Sequence, residues 1–95
     1  MKRRRLLSTR RTVPKHNRAD YDTAWSALVA AAKEKTAHAW RFSALDNEDT
    51  YLEFLEFAPE ADPRQSRTVA EALERIEAVC RAMSTEEWEE ITPQP

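Results

Sequence analysis

Two side chains in this sequence are placed to act as acid or base inside apolar segments, His38 and Glu53. His38 opens the run His38-Ala39-Trp40-Arg41-Phe42. Glu53 lies within Tyr51-Leu52-Glu53-Phe54-Leu55-Glu56-Phe57. A general base must reach the proton it takes and titrate near the working pH. A carboxylate among aromatic rings has a raised pKa and can shuttle protons. Trp25, Trp40, Phe42, Tyr51, Leu55 and Phe57 would line a cleft between sheet and helices for a flat aromatic or small apolar ligand. Each has a plainer reading. His38 is then a strand-end histidine satisfied by backbone or water. Glu53, and with a weaker catalytic claim Glu56, is the partner of an arginine on the first strand. Trp25 is helix core.

Composition removes other chemistries. There is no Gly, so neither a P-loop nor a dinucleotide fingerprint exists. The lone Cys80 excludes an intrachain disulfide, a Cys-rich zinc site and an iron–sulfur cage. Its place on an apolar helical stripe reads as a buried, inert thiol. His16 and His38 lie 22 residues apart, without ligand spacing, so no metal is expected. No cofactor is implied, and no Ser–His–Asp set can be argued without geometry.

These residues need elements to hold them. Residues 4–13 read as a strand ended by Pro14. Residues 18–36 read as a helix, with Asn17 as N-cap and the stripe Tyr21, Trp25, Leu28, Ala32. Residues 37–45 and 50–57 read as a hairpin about Asp46-Asn47-Glu48-Asp49. With that four-residue loop Phe42 faces Glu53, Trp40 faces Leu55 and His38 faces Phe57. His38, Trp40, Phe42, Tyr51, Glu53, Leu55 and Phe57 then share one side, and Ala39, Arg41, Leu52 and Phe54 the other. Both sides are apolar, so both call for cover. A loop between Pro59 and Pro63 leads to a second helix capped by Thr68-Val69-Ala70-Glu71, with the stripe Val69, Leu73, Ile76, Cys80, Met83. In the tail, Ser84-Thr85-Glu86-Glu87 and the pair Trp88, Ile91 favour a short helix, with a last edge strand over Trp88 to Thr92 as the alternative. Pro93 and Pro95 end the fold.

Strand, helix, strand, strand, helix and a last strand or helix is the split βαβ order of ferredoxin-like α+β domains. The third strand then lies between the first and second, and arginines of strand one meet Glu53 and Glu56. Ninety-five residues make one domain, spanning 1–95, with residues 1–4 and 92–95 expected as flexible ends. Such a chain buries about 60–65% of its unfolded surface. Leu, Ile, Val and Phe number only 16, and the net charge is −2, so the domain is folded but thinly cored. Association would supply the missing burial.

Charge is divided along the chain. Residues 1–18 hold eight Lys or Arg and no acid, while all 17 acids follow. A basic arm on an acidic body most simply pairs with it. Anion, nucleic-acid or membrane binding and organelle targeting are the alternatives. The run Leu6-Leu7 is too short for a signal peptide or a membrane span. An isoelectric point of about 5.7 and an arm without interleaved aromatics argue against nucleic acid. A cytoplasmic location is expected.

Val13-Pro14, the helix with Tyr21 and Trp25, and the two aromatic strand segments together resemble the dimeric α+β barrel superfamily. The nearest likeness is to small bacterial proteins close to the antibiotic biosynthesis monooxygenase group. The resemblance implies a homodimer in which two ferredoxin-like sheets pack face to face, with the helices outside. Enzymes of the superfamily oxidise polycyclic aromatics or haem without a dedicated prosthetic group, or isomerise small acids. Those acting on haem or anthrones use an asparagine with a nearby tryptophan, and often a histidine or arginine. Trp40 and His38 would fill such roles here. The first strand offers Ser8 and Thr9 where an asparagine is wanted, and Asn17 and Asn47 fall in loops. Three functional readings follow. The first is a small homodimeric ligand binder. The second is a cofactor-independent monooxygenase-like enzyme, in which Trp40 and Tyr51 hold an aromatic substrate. Glu53 or His38 would take its proton there, so that the carbanion meets dioxygen. The third is a protein that binds anions or nucleic acid through its arm.

Overall fold

The computed structural model describes residues 3–91. Pro93, Pro95 and most of the two expected flexible ends lie outside them. The elements are β1 (Arg5–Thr12), α1 (Arg18–Glu34), β2 (His38–Ser43), β3 (Thr50–Phe57), α2 (Arg67–Val79) and β4 (Ala82–Glu89), joined in places by single 3-10 turns. The strands form one antiparallel sheet in the order β2-β3-β1-β4. β3 lies between β1 and β2, as the split βαβ order requires. No helix is long and apolar enough to cross a membrane.

Both helices pack on one side of the sheet. α1 buries Tyr21, Ala24, Trp25, Leu28, Ala31 and Ala32, and α2 buries Val69, Ala72 and Ile76. The alanines let the helices approach closely, and with Val13 and Cys80 most of these side chains make the main core. Ala32, Ala37, Leu55 and Phe57 make a second cluster on the same side.

Four sequence expectations are corrected. Asn17 holds the N-cap position of α1 without capping it. Its amide donates instead to Val79 O and Cys80 Sγ, tying the start of α1 to the end of α2. α2 has Ser66 at its N-cap, set by the turn Pro63–Gln65, so Thr68 falls inside the first turn. α2 also ends at Val79, which places Met83 in β4 and off the helical stripe. The tail, open in the sequence between helix and edge strand, is an edge strand, and it runs over Ala82–Glu89. A one-turn helix gains little by itself, whereas the free edge of β1 offers a ladder from Arg5 to Arg11. A register shift between Arg10 and Arg11 leaves Met83 out of the pairing.

The fourth correction is the hairpin register. Ala44 N–H bonds to Thr50 O at 2.9 Å and Thr50 N–H to Asn47 O at 3.1 Å, while Asn47 Oδ1 accepts from Asp49 N–H at 3.0 Å. The connection thus spans five residues, 45–49, one more than expected. Phe42 pairs with Leu52, Arg41 with Glu53, Trp40 with Phe54 and His38 with Glu56. A slip of one residue moves every side chain of a strand to the other face relative to its neighbour. Ala39 and Arg41 therefore join Tyr51, Glu53, Leu55 and Phe57 toward the helices. His38, Trp40 and Phe42 join Leu52, Phe54 and Glu56 on the open side.

α1 ends on a left-handed residue that is not glycine. Thr36 has φ of 56°. Ala37 N–H reaches Ala32 O at 3.0 Å and Thr36 N–H reaches Lys33 O at 3.2 Å. These are the two bonds of a Schellman cap, and Ala32 and Ala37 supply its apolar contact. A β-branched residue at this φ carries a cost of roughly 1–2 kcal/mol. We expect Thr36→Gly to stabilise the fold by about 1 kcal/mol, read as a rise in Tm of about 4–8 °C. An unchanged or lower Tm would show that the cap is not strained.

Candidate functional site

The two sides of the sheet present different chemistry. On the helix side the inward row of β1 includes Arg11, with 4% of its surface exposed. Its Nε donates to Glu53 Oε2 at 2.8 Å, and its Nη1 donates to Glu77 Oε2 and to Cys80 O, each at 2.6 Å. Glu53 is 5% exposed and also accepts from the Tyr21 hydroxyl at 2.7 Å. Glu77 Oε1 accepts Ala82 N–H at 3.0 Å, where β4 begins. At the far end Arg41 lies over the rings of Tyr21, Trp25 and Tyr51, with centroid distances of 4.9, 5.4 and 5.7 Å, and pairs with Asp22 at 2.9 Å. A chain of alternating charge thus crosses the core beneath both helices.

This setting decides what Glu53 can do. Its carboxylate holds Arg11 and Tyr21, which is the structural alternative to a free base. Burial, then the charge of Glu53 and its hydrogen bond, push the Tyr21 hydroxyl well above its ordinary pKa. Tyr21 therefore stays a protonated donor. Burial works against the charge of Arg11, yet Glu53 and Glu77 hold its pKa raised. The gap beside Glu53, bounded by Leu7, Thr9, Trp25, Leu28 and Leu73, measures about 10 Å³. That is room for one water at most. The expected cleft between sheet and helices is filled by the side chains that were to line it: Trp25, Tyr51, Leu55 and Phe57.

The open side carries Leu6, Trp40, Phe42, Leu52, Phe54 and Trp88. Trp40 stacks on Phe54 at 5.6 Å, and Phe42 meets the same ring edge-on at 5.8 Å. The Trp88 indole N–H donates to Ser8 Oγ at 2.8 Å, laying the indole against β1. Phe42 remains 56% exposed and Trp88 50%. Between the two aromatic banks runs a trough with Leu6 in its floor. One end, of about 310 Å³, is bounded by Trp40, Trp88 and the ion pair of Arg4 with Glu56, whose contacts are 2.9 and 3.1 Å. The other, of about 220 Å³, reaches Ser8, Arg10 and Phe54.

The register thus divides the expected site. His38 and Glu53 stand on opposite sides of the sheet and share no pocket. His38 is exposed at the start of β2, beside an open groove along Val29 and Lys33. Trp40 and Phe42 are parted from Trp25, Tyr51, Leu55 and Phe57. Sequence reasoning missed Glu77 and the open-face pair Leu6 and Trp88. Glu77 lies four residues after Leu73, on the apolar stripe of α2, and an acid in that row was the available signal. Trp88 could be placed only once β4 was known to be a strand. The basic arm pairs with the body: Arg3 and Arg5 with Glu89, Arg4 with Glu56, Arg11 with Glu53 and Glu77, and Arg18 with Asp49. Among the described residues no group of three His, Cys, Asp or Glu is placed to hold a metal.

Two outcomes follow from the buried network. Removing one partner of a buried ion pair costs about 3–5 kcal/mol, so Arg11→Met should lower the urea unfolding free energy by that amount. A loss below about 1 kcal/mol would mean the network is slack. The second concerns acid. Burial would raise the pKa of Glu77. The Arg11 hydrogen bond, the Ala82 N–H and the charges of Arg11 and Arg81 outweigh it and hold the carboxyl below its ordinary 4.5. A depressed folded pKa gives stability that is present above the unfolded value and lost as pH falls through the folded one. Stability should therefore decline below about pH 4.5, and Glu77→Gln should make that decline shallower. Parallel acid limbs in the two proteins would refute the assignment.

No family model matches the chain, and no curated protein does. Solved structures do. A conserved protein of unknown function from Bacteroides thetaiotaomicron has a TM-score of 0.78 at 16% identity, over 94% of this chain and 99% of that one. SnoaB, a cofactor-independent oxygenase from Streptomyces nogalater, has a TM-score of 0.71 at 11% identity, over 100% of this chain and 97% of that one. A Bordetella bronchiseptica protein provisionally described as an antibiotic biosynthesis monooxygenase has a TM-score of 0.68 at 12% identity, over 97% and 99%. The chain therefore has the fold of the antibiotic biosynthesis monooxygenase group, a ferredoxin-like α+β domain of four antiparallel strands backed by two helices.

Proposed function

We propose that the protein acts as a homodimer of the dimeric α+β barrel kind. The open faces of two sheets meet, the helices stay outside, and the space between the sheets receives a small apolar or aromatic ligand. One observation carries this reading: the uncovered row Leu6, Trp40, Phe42, Leu52, Phe54 and Trp88. A contiguous apolar patch on one face marks an interaction site. A thin core makes the added burial valuable, and the troughs along β1 leave room when two such faces meet.

A second reading, a cofactor-independent oxygenase, draws on the likeness of fold to SnoaB. In it Trp40 would hold the substrate and the base would be His38, since Glu53 is engaged by Arg11 and Tyr21. The ligand-binding dimer needs no such base, and the geometry supports it better.

Light scattering after size exclusion, at micromolar protein and moderate salt, tests the dimer. The expected mass is twice 11.0 kDa. Phe42→Asp puts a charge on the face without entering the core. It should weaken the dimer by about 100-fold, the size of an interface hot spot, and keep the wild-type far-UV spectrum. A wild-type mass of 11.0 kDa would sink the reading.

A further inference from the structure

Arg10 breaks the pattern of the arm. Each arginine of residues 3–18 meets an acid except this one, whose side chain makes no hydrogen bond or ion pair with any described residue. It is exposed on the open face, its Cα opposite Leu52 of β3 and Ser84 of β4. Glu86 stands on the same face opposite Ser8, and it too makes no ion pair with Arg10.

The space beside Arg10 is the trough end of about 220 Å³. Phe54 of β3 and Trp88 of β4 wall it, with Leu6 of β1 between them and Leu52 beside Phe54. Ser8 Oγ accepts from Trp88, which leaves its own proton to donate. Two aromatic walls, an apolar floor, a hydroxyl and one cation without a partner form a consistent set. The walls accept a flat ring by offset or edge contact. The guanidinium fork matches a carboxylate with two parallel hydrogen bonds. The volume suits one or two fused rings.

We infer that this end of the trough binds a small planar aromatic carboxylate, its ring between Phe54 and Trp88 and its carboxylate on Arg10. Glu86 also lines this end of the trough and selects against a second negative charge on the ligand. This deepens the reading of the open face as the ligand site, because the second sheet would screen the trough from water and strengthen the Arg10 contact. A different explanation for the free cation is an ion pair between Arg10 and Glu86 across the dimer, and the test must separate the two.

The experiment titrates the full chain with 2-naphthoate and with its uncharged methyl ester. Tryptophan quenching and calorimetry report binding, and light scattering reports mass in each sample. The wild type should bind naphthoate at least about 10-fold more tightly than the ester, the size of one charge-assisted hydrogen bond. Arg10→Gln should abolish that preference with the mass unchanged, and Arg10→Lys should keep part of it. Three results overturn the inference: no naphthoate binding, equal binding of acid and ester, or a halved mass in Arg10→Gln, which would make Arg10 an interface residue. A monomeric wild type that still prefers naphthoate would uphold the trough and overturn the barrel.

Discussion

A guanidinium with 4% of its surface in water must be neutralised where it lies, and the rest of this fold is arranged around Arg11. Its partners come from β3 through Glu53, from α2 through Glu77, and from the chain just past α2 through Cys80 O. Those partners extend the reach. Glu53 takes the Tyr21 hydroxyl of α1, and Glu77 takes the first N–H of β4. Five of the six principal elements are thereby joined through one buried cation. Taking such a group out of water is expensive, and the interior returns that energy only when every lone pair and proton is satisfied. The network therefore tolerates little movement of β1 against β3 or of α2 against β4.

The same network explains why the helix side of the sheet offers no room for chemistry. Its polar groups are occupied by one another, and Trp25, Leu28 and Leu55 close the space around them. Arg41 seals the outer end under the rings of Tyr21, Trp25 and Tyr51. What is left for binding lies on the other side. There the aromatic bank of Trp40, Phe42 and Phe54 faces Trp88 across β1, with ion pairs at one end of the trough and Arg10 at the other.

Composition and architecture agree on this division. A chain with 15 alanines and no glycine packs its helices closely on one side but has few large aliphatic groups left for a second core. It also has no glycine to end α1, so Thr36 adopts the left-handed conformation itself. Much of the large apolar surface that the helix layer does not use sits on the open sheet face. An aromatic face with half-exposed indoles and phenyl rings is suited to a second sheet, to a flat ligand, or to both together.

Much of this was legible in the residues alone. The element order, the place of β3 between β1 and β2, the stripes of both helices and the pairing of first-strand arginines with Glu53 and Glu56 follow from periodicity and charge, which are local quantities. The hairpin register was not legible, because one residue in the length of the 45–49 turn exchanges the faces of a strand and no local pattern measures that length. Two apolar faces made either register acceptable to the pattern. Nor could β4 be read: Ser84-Thr85-Glu86-Glu87 suits a helix start, and only the free edge of β1, present once the sheet is assembled, makes it a strand. From that strand came Trp88, the far wall of the trough, and from the register came the separation of His38 and Trp40 from Glu53. Sequence by itself determined which side chains the fold must bury and which charges must pair. The tertiary structure decided which of them share a face, because face is a property of paired strands and not of either strand alone.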